Sequence, residues 1–196
     1  MVAAISRQIG PLIGPGLMLS GMKKQFSTYL MAAGLTVVLS ACAPALNWRE
    51  MPAADGKLWA LFPAKPVTAS RAWSVQAAQH TMTLTAARVG GAQFAAGATP
   101  AARGQTAAVA RAWAAVLLRN MQVPADTIEQ AKPVPVVGTQ GAFELAVSGT
   151  VEGAPGLLRA RFAWTDQAAL ATIAMGSHAQ LQPADAQLFA ASMRLP

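Results

Sequence analysis

One stretch, Met22 to Cys42, decides how much of this chain is left to fold. Lys23 and Lys24 open it, Tyr29 to Ser40 follows as an apolar run of about a dozen residues, and Ser40 and Ala41 stand just before Cys42. The run is too short for a bilayer core, which needs roughly 20 apolar residues. A positive start, a short apolar run and small residues in that order form an export signal. The lysines resist translocation, the run enters the membrane as a helix, and the small side chains let a peptidase reach the backbone. Residues 22–41 are therefore read as a signal peptide, cut between Ala41 and Cys42.

The four residues Leu39-Ser40-Ala41-Cys42 resemble the lipobox of bacterial lipoproteins. The resemblance implies that the Cys42 thiol receives diacylglycerol and that the new amino terminus is acylated with a fatty acid such as palmitate. Several acyl chains anchor a protein stably where one does not. In the same family rule, an Asp after the cysteine favours the inner membrane. Ala43 stands there, so the resemblance implies the outer membrane, with the folded part facing the periplasm.

Residues 1–21 lie upstream of the natural signal start at Met22, and Gly10-Pro11 and Gly14-Pro15-Gly16 break any helix there. They read as a misassigned upstream start or an extended n-region. Cleavage before Cys42 leaves 155 residues, the size of one ordinary domain with a real core. The whole chain carries 15 Lys and Arg against 8 Asp and Glu; with Arg7, Lys23 and Lys24 removed, 12 face 8, a net +4. These bases are scattered except for Arg159 and Arg161, so no stripe suited to nucleic acid exists. Cys42 is the only cysteine. Its lipidation would leave no disulfide and no Cys/His zinc set.

Residues 42–56 are read as a lipidated tether, within which Asn47-Trp48-Arg49-Glu50 is either a first short strand or a surface anchor. Asp55-Gly56 marks a turn, and residues 57–196 are read as a single α+β domain. Leu58 to Phe62 is an apolar strand closed by Pro63. Val67 to Gln76 is a strand with ragged alternation. His80 to Ala86 alternates with period two, placing His80, Met82, Leu84 and Ala86 on one face and three threonines on the other. Gly90-Gly91 is a two-residue hairpin turn, with Gln93 to Ala96 returning. Thr99-Pro100 is expected to start a helix running to about Met121, with Thr99 as cap and Pro100 in the first turn. Val109, Trp113, Val116, Leu117 and Met121 form its apolar stripe, and Arg103, Arg111 and Arg119 a row on its other side. Lys132 to Pro135 is an extended connector. Three strands follow, Ala142 to Val151, Leu157 to Thr165 and Ala168 to Met175. Pro183 to Ser192 forms a last helix, with Leu188 and Phe189 as its buried contacts.

Leu61-Phe62-Pro63-Ala64-Lys65-Pro66 near the domain start and Phe189-Ala190-Ala191-Ser192-Met193-Arg194-Leu195 at its close are similar to the segments that open and close a group of betaproteobacterial lipoproteins of unknown function. Such domains look like the PsbP-like α/β sandwich, an antiparallel sheet with helices packed on it. Their relatives often carry a cysteine in the opening segment and another near the first hairpin. Ala64 and Ala86-Ala87 stand at those places here, which implies a lost disulfide and a greater dependence on packing. The resemblance supplies no catalytic residues.

His80 sits among threonines in a strand. His178 follows Ser177 in a loop, with Asp166 and Asp185 not far along the chain, but no nucleophile elbow is present. Glu144 and Glu152 share strand parity on a face expected to be solvated. The glycines at Gly90-Gly91 and Gly153 to Gly156 lack a following helix and lysine, so they are turns rather than phosphate cradles. The tryptophans read as core, with Trp48 as the candidate interfacial anchor.

The expected fold is α+β: an antiparallel sheet of about five to seven strands, with a long helix and a C-terminal helix packed on it. The expected function is a non-enzymatic binding or accessory module, tied to the membrane through lipid on Cys42 and serving an unknown envelope protein or ligand. No catalytic residue, cofactor or metal is expected. A carrier of a small apolar ligand, with its pocket between sheet and long helix, is the alternative, and a minor hydrolase using His178 a third reading.

Overall fold

Alanine-rich strands set the architecture, because small side chains let other elements approach both faces of a sheet. The computed structural model describes residues 46–75 and 78–196, which pack as one compact unit. β1 (Arg49–Ala53) and β2 (Leu58–Phe62) form an antiparallel hairpin, Arg49 facing Phe62 and Ala53 facing Leu58. Its turn holds Ala54, Asp55 and Gly56 at positive φ. Most of the stretch read as tether is therefore folded: β1 lies inside residues 42–56, and the backbone N–H of Asn47 already donates to Pro63 O at 2.8 Å. Pairing with β2 satisfies polar backbone that a free tether would leave to water.

β3 (Val67–Val75), β4 (Ala78–Val89) and β5 (Ala92–Pro100) make a meander. Gly90 and Gly91 close the β4–β5 hairpin, both at positive φ as a two-residue turn requires. α1 (Thr106–Asn120) and a 3-10 turn (Ala125–Gln130) lead to β6 (Lys132–Pro133). A second meander follows: β7 (Gly141–Val151), β8 (Ala154–Trp164) and β9 (Ala168–Ser177). α2 (Pro183–Ala191) ends the fold. β5 and β9 pair in the middle, giving one seven-stranded antiparallel sheet in the order β3-β4-β5-β9-β8-β7-β6. This is an α+β arrangement at the upper end of the expected strand number.

Both faces of the sheet are covered. On one, α1 lays Val109, Trp113, Leu117 and Leu118 over Phe143, Leu145, Leu158 and Phe162. On the other, the β1–β2 hairpin and α2 bury Phe62, Phe94, Leu170 and Phe189. Phe62 and Phe94 meet Phe189 edge-on at centroid distances of 5.5 and 5.4 Å. The two central strands serve both layers, so Ala168 to Ala174 is buried throughout.

Along the strands and helices the structure departs from the sequence reading at α1, α2 and β4. Thr99 and Pro100 do not open α1; they pair with Ala169 and Ala168 at the end of β5. The free edge of β9 extends the strand there, and the helix begins only at Thr106, after Gly104 at positive φ. Arg103 therefore precedes the helix and pairs with Asp166 at 2.7 Å, so no row of three helical arginines forms. On α2, Phe189 is fully buried but Leu188 is 42% exposed; adjacent helical positions point about 100° apart. On β4, the threonine face is not uniformly open. Thr85 is buried beneath the hairpin turn, where its Oγ1 accepts the N–H of Ala54 at 3.0 Å.

Candidate functional site

Ala41 and Cys42, the cleavage and lipidation positions, lie outside the described residues. The described chain opens at Leu46, and Trp48 turns inward to meet Phe94 edge-on, with centroids 5.5 Å apart. The indole assigned to an interface is thus packed, half-buried, on the layer beneath the hairpin.

The most concentrated chemistry in the described fold lies between β7, β8 and α2. Alternation places Arg159 and Arg161 on one face of β8, opposite Leu158, Ala160 and Phe162. The β7–β8 register sets Glu144 directly across from Arg161. Arg159 donates to Glu144 Oε1 from Nε at 2.9 Å and from Nη2 at 2.6 Å. Arg161 Nη2 donates to Oε2 at 2.9 Å, and its Nη1 to the carbonyl of Ala191, at the end of α2, at 3.1 Å. The side chains of Glu144 and Arg161 are only 10% and 14% exposed. Burial works against the carboxylate charge, but the hydrogen bonds and charges of Arg161 and Arg159 outweigh it, and the Glu144 carboxyl is held below its ordinary value. Arg161 Nε is buried without a partner.

Parity alone puts Glu144 on a solvated face, and the structure corrects this: α2 covers that face. A carboxylate held ionised between two guanidiniums is poorly suited to proton transfer. It ties the β7–β8 hairpin to the carboxyl end of α2, where a cation also favours the helix dipole. Glu152 does not join it; it sits in the hairpin turn at positive φ and pairs with Arg88 at 2.6 Å. The sequence does hold a signal for the cluster. Counting back along both strands from the Glu152-Gly153 turn puts 144 opposite 161.

Two clefts open on the described surface. One, of about 280 Å³, lies where Lys57 meets the paired ends of β5 and β9, between Ala98, Pro100 and Leu170. The other, of about 270 Å³, runs beside the start of α2 and includes Arg159 and His178. Asp166 is engaged by Arg103 and Gln140, remote from His178, whose backbone N–H donates to Pro155 O. His80 Nδ1 lies 3.3 Å from the carbonyl of Pro100. Among the described residues, no group of three or more His, Cys, Asp or Glu is placed to hold a metal. No described helix is long and apolar enough to cross a membrane.

No protein-family model matches the chain, and no curated protein matches it. Among solved structures, a protein from Bacteroides thetaiotaomicron VPI-5482 is similar at a TM-score of 0.42 and 8% identity. The match covers 76% of this chain and 48% of the other, so the chain spans about half the length of the solved protein it resembles.

Proposed function

We propose that this protein is a lipid-anchored component of a bacterial cell envelope, held by acyl chains on Cys42 in the outer membrane with its folded part in the periplasm. It acts there as a non-enzymatic binding or accessory module. The observation that carries the reading is the register of Lys23-Lys24, the apolar run and Leu39-Ser40-Ala41-Cys42 within 21 residues. The packing favours a module over a ligand carrier. The space between sheet and α1, where a carrier would hold its ligand, is filled by Trp113, Leu117, Phe143 and Phe162.

The test is metabolic labelling with palmitate in a bacterial host. The intact precursor should incorporate label and fractionate with the envelope, and Cys42→Ser should abolish both. Label entering the Cys42→Ser protein would put the modification elsewhere and remove the basis of the reading. Affinity capture of the tagged lipoprotein from envelopes then asks which envelope component it accompanies.

A further inference from the structure

Lipidation of Cys42, the proposed anchor on which this inference rests, leaves very little chain between the membrane and the fold. Only Ala43, Pro44, Ala45 and Leu46 separate Cys42 from Asn47, whose N–H is bonded to Pro63. Five Cα steps span at most about 18 Å. The eleven-residue strands β7 and β8 are each roughly 36 Å long. A lipid on Cys42 therefore holds one end of the sheet near the membrane, the end where Pro63 leads into β3.

We infer that this pole, centred on Lys65 and Val67 and flanked by Arg49, is a membrane-contacting surface that lies against the phospholipid leaflet carrying the anchor. Three observations fit it to that occupant. Val67, four residues beyond Pro63, is 74% exposed, one of three exposed large apolar side chains among the described residues. Arg49 and Lys65 have no carboxylate partner among the described residues, whereas Glu50 and Glu152 are each neutralised, by Arg194 and Arg88. An exposed apolar side chain two residues from a cation that lacks a carboxylate partner suits an anionic headgroup layer. Trp48 is turned into the core and leaves this contact to Val67 and the cations. The opposite pole carries Val137, also exposed, in the loop before β7, where Gln140 N–H bonds to Trp164 O.

Cys42 is the only cysteine, so once it is acylated an introduced thiol is unique. The full lipoprotein with Val67→Cys or Val137→Cys, each labelled with bimane, is reconstituted into vesicles of phosphatidylethanolamine and phosphatidylglycerol. A fraction of the lipid carries a nitroxide near the headgroup. Quenching is expected to be severalfold stronger at position 67 than at 137, and Lys65→Cys should behave like 67. Equal quenching at both poles of a protein that floats with the vesicles would overturn the orientation while leaving the anchor intact. A protein that fails to float overturns the lipidation of Cys42 itself.

Discussion

Replacing Glu144 by glutamine removes the charge that holds Arg159 and Arg161 together while keeping the side-chain volume. Three charge-assisted hydrogen bonds, at 2.9, 2.6 and 2.9 Å, are affected. Each contributes about 1.5–3 kcal/mol when the partner is ionised. The glutamine oxygen can keep part of one arginine's bonding, but its amide then faces the other guanidinium. Arg159 is 30% exposed, and water takes up some of its loss. We expect Glu144→Gln to cost about 2–3 kcal/mol at neutral pH, short of the 3–5 kcal/mol for breaking a fully buried pair. The cost has a pH signature. Glu144 is held below its ordinary value of 4.5 in the folded protein, so its stabilisation is complete above that value and disappears as pH falls through the lower folded-state value. Urea unfolding followed by tryptophan fluorescence measures both effects. The gap between wild type and Glu144→Gln should be widest at neutral pH and should close on acidification. Glu152→Gln, whose partnership with Arg88 is about half exposed on each side, should cost about 0–1 kcal/mol. If Glu144→Gln matches that control, or its cost persists in acid, the cluster does not hold α2 to the sheet as described.

Phe189→Ala should destabilise by about 3–5 kcal/mol, because the ring is fully buried between Phe62 and Phe94, while the neighbouring Leu188→Ala should stay within about 0.5 kcal/mol; thermal melts of the pair read this directly. Gly149→Ala should cost about 1–3 kcal/mol, since a Cβ there would lie 2.5 Å from the carbonyl oxygen of Met121, which also accepts the N–H of Thr150; a wild-type denaturation midpoint would show that the contact can relax. Thr106→Val should cost about 1–2 kcal/mol through loss of its 2.7 Å hydrogen bond to Thr165 O at the start of α1, and unchanged urea stability would discount that link. Trp48→Ala should lower stability by about 2–3 kcal/mol without changing the share of protein bound to vesicles, whereas an interfacial anchor would show the reverse.

Local chemistry made the hairpin turns and most strands legible. Gly90-Gly91 needs φ values that other residues avoid, and Leu58 to Phe62 is a short apolar run closed by Pro63, so both fall where the sequence puts them. Val109, Trp113 and Leu117 likewise mark the buried side of α1 from spacing alone. The failures are positions where a distant partner competes with a local preference. Thr99-Pro100 has the chemistry of a helix start, yet β9 supplies an edge that extends β5 through it. Trp48 looks like an anchor until Phe94 is brought beside it. Glu144 has the parity of a solvated residue until α2 settles over its face, and its carboxyl pKa is then held down, against that burial, by the hydrogen bonds and charges of Arg161 and Arg159.

The sequence by itself determined most of the strand and turn pattern, and the signal-like stretch that points to Cys42, because these depend on neighbouring residues and on simple periodicity. Only the tertiary structure decided which faces are covered, that Asn47 is tied into the fold, and hence how short a chain could link that point to a lipid on Cys42. Those outcomes depend on contacts between segments far apart in the chain. No local preference encodes them, since the free energy that selects them exists only once both partners are in place.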